Sequence, residues 1–236
     1  ILFACILMLV ALGGCFAEHS GVINLGLEGI MVMGAMGGAL MMSFMPDGTS
    51  AIMIILLTLL ASIVCGVLYS TLLAVAALTK AAQMPFSTWL MGAMVAPTPS
   101  SALLHSATMV KAGIYVLFRL APAMSGTQTG LLISFIGGFT FFAASVMAIA
   151  QTDAKKVLAL STVSNLGLMV ACAGVGTPET IWAGTFLMMF HAISKSLLFQ
   201  NVGATETSLH SRDIESMHGL IFRLPRLGSY MFIGIA

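Results

Sequence analysis

From Ala51 to Ala77 the chain runs about 27 residues without one charged side chain, which as an α-helix is about 40 Å at about 1.5 Å per residue. About 20 apolar residues cross a hydrocarbon core of about 30 Å, so this stretch reads as a membrane span. The pattern recurs along the chain. Candidate spans fall at 1–17, 22–45, 51–77, 85–96 (short), 100–121, 129–150, 157–176 and 180–203, with a further one opening at 225–236. Polar punctuation separates them: Glu18-His19-Ser20, Pro46-Asp47-Gly48, Pro97-Thr98-Pro99, Gln151-Thr152-Asp153 and Gly176-Thr177-Pro178. The expected fold class is therefore all-α, a polytopic transmembrane helical bundle of about eight spans.

Composition agrees. Hydrophobic residues make up 59% and charged residues 7%, where a soluble domain carries about 25% charged residues. Water could not solvate the surface such a chain presents, so the lipid bilayer is its expected solvent. A formal net charge of +1 gives no electrostatic case for nucleic acid. Cys5, Cys15, Cys65 and Cys172 are scattered in apolar stretches without CxxC spacing and read as small buried hydrophobes rather than metal or disulfide cysteines. No iron–sulfur, haem or zinc motif can be assembled, so no cofactor and no metal is expected and redox chemistry belongs to partner subunits. The first ten residues lack the charged leading region of a signal peptide. The chain opens at Ile1 and stops at Ala236 inside an apolar run, which reads as a fragment of something longer.

Thr205 to Arg223 is the longest polar stretch and is expected to be an extramembrane connection. Lys155, Lys156, Arg212, Arg223 and Arg226 fall on loops that alternation places on one side, and the positive-inside rule makes that side cytoplasmic. The carboxylates, Glu206 among them, mostly read as solvated charge at span ends.

Ionisable groups within apolar spans cost several kcal/mol unless paired or hydrated, so each is a functional candidate. Lys80 stands just before Pro85, which has no amide hydrogen and leaves the carbonyl of Ala81 without its helical donor. A broken helix beside a lysine is how membrane proteins build ion sites; a lysine snorkelling at a helix end is the competing reading. His105, Thr108 and Lys111 follow one another at i, i+3 and form a row on one expected helix, with Lys111 near mid-span. Desolvation favours the uncharged amine, which suits a buried lysine to proton exchange. His191 and Lys195 share a helix face at i, i+4, with Ser194 and Ser196 as hydroxyls that could hold water. For both groups the competing reading is a static hydrogen bond to a neighbouring helix. The His191–Lys195 pair suits proton relay better than metal binding, because a protonated lysine repels a cation.

The run Lys80-Ala-Ala-Gln-Met-Pro-Phe-Ser-Thr-Trp-Leu, followed by Ala-Pro-Thr-Pro-Ser-Ser-Ala-Leu-Leu-His105-Ser-Ala-Thr-Met-Val-Lys111-Ala-Gly, resembles the antiporter-like subunits of respiratory complex I, multisubunit sodium/proton antiporters and energy-converting hydrogenases. The resemblance continues through Gln151-Thr-Asp-Ala-Lys-Lys-Val-Leu-Ala-Leu-Ser161 and Phe190-His-Ala-Ile-Ser-Lys-Ser-Leu-Leu-Phe199. Arg212-Asp-Ile-Glu-Ser-Met-His-Gly219 resembles the hydrogenase and formate hydrogenlyase branch. The resemblance implies a non-catalytic, multi-pass subunit of a prokaryotic cytoplasmic membrane, working with other membrane and peripheral subunits of a redox complex. It would pass protons, or Na+, through buried lysines and histidines. Carried over by motif, Lys80 matches the lysine at a broken helix, His105 and Lys111 the next helix, and His191 and Lys195 a later broken helix. Leu187 stands where some members have a further histidine. The helices bearing the family's glutamate partner and terminal lysine are not expected in this chain.

Phe16-Ala-Glu-His-Ser-Gly-Val-Ile-Asn-Leu-Gly-Leu-Glu-Gly-Ile-Met-Val-Met-Gly-Ala35 is instead similar to the membrane permeases of ABC importers for nucleosides and simple sugars. Two regions are expected on this basis: 1–77, permease-like, and 78–236, antiporter-like, joined near Val75–Thr79. A helix running from Ala51 through Ala77 would bring Lys80 out at a membrane face, whereas the family needs it at mid-depth. The alternatives to a proton path are a permease fragment and a non-functional hybrid of the two.

Overall fold

The computed structural model describes residues 25–46, 49–106 and 108–235. The expected span at 1–17, the start of the permease-like motif, and Cys5, Cys15, Glu18 and Asp47 lie outside the described residues. The helices are α1 (Leu25–Ser43), α2 (Ala51–Lys80), a short α3 (Thr88–Gly92) with a 3-10 turn (Ala93–Val95), α4 (Thr98–Ser106), α5 (Met109–Met124), α6 (Gln128–Ile149), α7 (Ala154–Val175), α8 (Pro178–Leu209), α9 (Leu220–Arg223) and α10 (Pro225–Ile235), with a second 3-10 turn at Ile214–Met217. Among the described residues there is no strand beyond one isolated bridge, Asp153 with Asp213. Among the described residues, five stretches are long and apolar enough to cross a membrane: Ala51–Lys80, Thr98–Met124, Gln128–Ile149, Ala154–Val175 and Pro178–Leu209. The protein is an all-α, multi-pass membrane bundle.

The chain divides into two compact units, 1–76 and 77–236. Within the first, α1 lies against α2 through a glycine face. A Cβ at Gly38 would come within 2.6 Å of Ser62 Oγ, and one at Gly34 within 3.3 Å of the Ser62 carbonyl oxygen. Small residues allow this close backbone approach, which in lipid is where helix association gains its packing contacts.

In the second unit the tightest pair is α6 with α7. A Cβ at Gly137 would lie 2.6 Å from the Gly167 carbonyl oxygen, and one at Gly174 would lie 2.6 Å from that of Gly130. The seven-residue spacing of Gly130 and Gly137 matches that of Gly167 and Gly174, so two small-residue stripes meet. Asp153 caps α7, accepting from the amides of Lys155 (2.9 Å) and Lys156 (3.4 Å), which satisfies two of the orphan donors at the helix start. Gly176 ends α7 in the left-handed region at φ 69°, and Pro178 then opens α8 behind the N-cap Thr177, as a proline can at a first helical position.

Three expected boundaries are corrected. Residues 85–96 form no span: α2 ends at Lys80, turns carry the chain through Pro85, and only α3 and a 3-10 turn follow. Proline cannot donate into a helix and Gly92 and Pro97 interrupt what remains. Residues 100–121 are two helices, with Thr108 at φ −115°, ψ −81° between them. The helix expected at 180–203 runs on to Leu209, so the expected connection starting at Thr205 begins later. No proline lies between Pro178 and His210, and α8 stops only where His210 turns left-handed at φ 53°.

Candidate functional site

The break between α4 and α5 builds the first part of the site. It frees the carbonyl of Ser106 at the end of α4, and Lys111, in the first turn of α5, folds back so that its ammonium donates to that carbonyl. A second bond runs from Lys111 Nζ to the carbonyl of Met188 on α8, at 3.0 Å. Lys111 is buried, and both acceptors are backbone oxygens. A cation at a helix C-terminus is favourably placed in the helix dipole. His105, on the other side of the break, is fully buried; its ring stacks on Phe199 of α8 with centroids 5.1 Å apart and planes at 27°.

The second part comes from α8. His191 and Lys195 are both buried on one face. Lys195 Nζ donates to Ser161 Oγ of α7, and that hydroxyl donates onward to the Leu158 carbonyl at 3.0 Å. His191 lies within electrostatic reach of Lys111, Lys195 and His105, and His105 within reach of Lys195. The structure therefore brings four of the five expected relay residues, His105, Lys111, His191 and Lys195, into one cluster on α4, α5 and α8, with Ser161 of α7 against it. Both ring nitrogens of each histidine are buried without a protein hydrogen-bond partner. Buried polar atoms of this kind are where proteins hold ordered water.

The fifth residue is elsewhere. Lys80 is the last residue of α2 and exposed. The Ala81 carbonyl, expected to be left open by Pro85, instead accepts from Gln83 Nε2 at 2.9 Å. The expected row through Thr108 is also corrected. The helix is interrupted there, and Thr108 is exposed with its hydroxyl donating to the Leu103 carbonyl at 3.2 Å. His191 and Lys195 lie on an unbroken α8 rather than a broken helix. Ser196 accepts from Gln200 on an exposed face (3.4 Å), so the hydroxyl that meets Lys195 is Ser161 from another helix.

A second charged group was missed by sequence reasoning. Lys155, expected on a loop, is 1% exposed and donates to the Ala96 carbonyl at 3.2 Å. It pairs with Glu206 Oε2 at 3.7 Å, which also accepts from Thr98 Oγ1 at 3.2 Å. The other oxygen, Oε1, accepts from Arg212 Nε at 2.5 Å. Glu206, expected as solvated loop charge, thus lies within α8 and holds two cations. Backbone pairing fixes the arrangement: Ala154 N donates to Arg212 O (3.0 Å) and Ile214 N to Thr152 O (2.9 Å). The available signal was Asp153, whose capping role places Lys155 in a first helical turn rather than a loop.

A helical membrane bundle that buries lysines and histidines around a broken helix, with no carboxylate paired to those lysines among the described residues, is the class these features define. The chain belongs to the family described as NADH:quinone oxidoreductase/Mrp antiporter, transmembrane part, which matches residues 5–236. It is 43% identical over 155 residues to NADH-ubiquinone oxidoreductase chain 5 of Locusta migratoria, covering 65% of this chain and 27% of that one. It is 40% identical over 168 residues to Na(+)/H(+) antiporter subunit A1 of Staphylococcus aureus (strain MRSA252), covering 65% of this chain and 21% of that one. Among solved structures it is similar to a chain of the Mrp complex from Dietzia sp. DQ12-45-1b, with a TM-score of 0.62, 32% identity, and coverage of 89% of this chain and 26% of that one. The chain spans about a quarter of the length of these relatives. The family match takes in all but the first four residues of 1–77, the region whose motif resembles an ABC permease.

Proposed function

We propose that the chain carries part of a proton path in a membrane subunit of a multisubunit ion-translocating complex, and that His105, Lys111, His191 and Lys195 relay the proton. The observation that carries this reading is the pair of buried ammoniums, Lys111 and Lys195, held by backbone carbonyls and a serine hydroxyl rather than by carboxylates. A static structural role does not favour an uncompensated buried charge, whereas a relay needs groups that exchange a proton with little rearrangement. Each lysine has a histidine within reach, and water on the histidine nitrogens would join the steps. One relative is named a Na(+)/H(+) antiporter subunit, and of the two ions the cluster favours the proton, because two ammoniums repel a bare metal cation. Lys80 joins the path only if partner helices cover it.

The reading includes partners: further membrane subunits, and a redox or antiporter module that drives the flux, in the cytoplasmic membrane of a prokaryote. The structure collects Lys155, Lys156 and Arg212 at one end of the bundle, which supports that end as the cytoplasmic one. The division into a permease-like 1–77 and an antiporter-like 78–236, with a nucleoside or sugar path or a non-functional hybrid as its consequence, is the alternative. A family match that begins at residue 5 weighs against it, and so does the cation cluster, for which a sugar path has no use.

The test uses the full-length protein assembled with its partner subunits in sealed vesicles. Lys195→Ala is expected to abolish most driven proton flux while the amount of assembled complex stays near normal, since alanine costs little helix propensity. Lys195→Arg should be nearly as damaging, because arginine stays protonated and cannot hand the proton on. Normal flux in the arginine variant would reduce Lys195 to fixed charge.

A further inference from the structure

Three helices of the second unit repeat one order of side chains along their length. On α4 it runs Thr98, Ala102, His105; on α7, Lys155, Ala159, Ser161; on α8, read from its C-terminal end, Glu206, Phe199, Lys195. The first member of each belongs to the ionic group of Glu206, and the last belongs to the relay cluster or contacts it. The middle members pack on one another: Met94, Ala102, Ala159 and Phe199 form one buried apolar cluster, with Met91, Ala93 and Leu158 against it. Lys195, Phe199, Gly203 and Glu206 are four, four and three residues apart, one stripe of α8. Glu206 is thereby about 16 Å from Lys195 along the helix axis.

The Glu206 end is open. A cleft of about 780 Å³ is lined there by Thr98, Lys155, Glu206, His210 and Arg212, among others. Glu206 is the one carboxylate in that lining, its oxygens held by Lys155, Thr98 and Arg212, and His210 lines the cleft beside it. The relay end is closed to it by Phe199, fully buried and stacked on His105.

Resting on the relay reading above, we propose that the Glu206 cleft is an outer mouth of the proton path and that the collar around Phe199 gates it from the relay. A dry apolar constriction blocks ion and proton passage until water enters it. Glu206 supplies the negative charge at the aqueous side, the collar prevents a standing leak, and His105 receives the proton when the collar wets. Phe199 touches no substrate in this scheme. It controls access by filling space against Ala102 and Ala159.

The full-length protein, assembled with its partner subunits in sealed vesicles and lacking Cys5, Cys15, Cys65 and Cys172, tests this in two ways. In the Phe199-containing protein, T207C in the cleft should react readily with a water-soluble thiol reagent and A159C in the collar should be protected. Equal reactivity of the two overturns the proposal. Without a driving force, Phe199→Ala should raise passive proton leak on the order of tenfold, Phe199→Leu should leave it near normal, and Glu206→Gln should lower the leak of the alanine variant by at least about half, as expected if it enters through the mouth. An assembled Phe199→Ala protein that leaks no more than the parent, or leaks equally with Glu206→Gln, overturns it. Neither readout requires Lys195 to titrate, so a relay that fails the Lys195→Ala test is told apart from a mouth or gate that fails this one.

Discussion

The proposed relay and the proposed mouth bury lysines in opposite ways. Lys155 is 1% exposed, but it meets a carboxylate at 3.7 Å and a carbonyl at 3.2 Å. Lys111 and Lys195 are nearly as buried, at 6% and 5%, yet their acceptors are two carbonyls and one hydroxyl. Burying an ion costs several kcal/mol even after relaxation, and a neutral acceptor offsets less of that than an anion does. Lys155 thus has a carboxylate beside it, whereas Lys111 and Lys195 have only neutral acceptors. A lysine that must hold a loop in place is best kept charged. One that must give up its proton is best left without a fixed anion.

The largest effect expected from this contrast separates function from stability. Lys195→Met removes a buried charge whose acceptor is a hydroxyl that keeps its own carbonyl partner, it keeps most of the side-chain volume, and such replacements are often neutral or stabilising. The variant should lose driven proton flux by about tenfold or more, the loss expected when a path forfeits one proton-exchanging group. The melting temperature of the assembled complex should stay the same or rise. A fall in melting temperature would mean that Lys195 is structural, and the contrast would break.

Lys155→Met should do the reverse. It strands Glu206 on one side and leaves the Ala96 carbonyl without its donor, and an unsatisfied buried partner costs about 1–3 kcal/mol. Less assembled complex and a lower melting temperature are expected, with flux per assembled complex much less affected than in Lys195→Met. Gly137→Leu supplies a reference for purely structural damage: its Cβ would already lie 2.6 Å from the Gly167 carbonyl oxygen, so α6 and α7 must separate. Assembly should fall further than in Lys155→Met, and the flux of whatever assembles should be near normal.

Periodicity and apolar length made most helices legible, because a membrane span must satisfy its backbone internally and so shows itself in hydropathy. The pairing of His191 with Lys195 was legible for the same reason: i, i+4 on a continuous helix is fixed locally. The break at Thr108 was not. No proline or glycine marks it, and what stabilises it is Lys111 reaching back to Ser106 and across to Met188, a residue 77 positions away. Lys155 was misread because its place among loop charges is a local property, while its burial depends on Ala96 and Glu206, far away in sequence. Lys80 shows the complementary limit. Its motif was legible, but the cluster it was expected to join is assembled from helices that leave it at the exposed end of α2.

The smallest expected effect concerns Arg212, and it sharpens the contrast at the mouth. Arg212 and Lys155 hold different oxygens of one carboxylate, so by geometry alone Arg212, at 2.5 Å, would look the stronger partner. Its side chain, however, is 42% exposed and that of Lys155 is 1% exposed. Water and salt screen an exposed pair, which is commonly worth about 0.2–1 kcal/mol, and as salt rises above physiological strength the screening length falls below about 8 Å and that contribution fades further. Arg212→Ala should therefore lower the melting temperature only slightly at low salt, and the difference from the parent should vanish near 0.5 M salt, on the order of the concentration at which exposed charges are largely screened. Lys155→Met should keep its deficit at both concentrations, since the lysine side chain itself is 1% exposed. If Arg212→Ala proves as damaging as Lys155→Met and equally indifferent to salt, then burial of the lysine is not what ranks the two cations. The guanidinium contact of Arg212 with Glu206 Oε1, at 2.5 Å, would then be the contact that holds this end together.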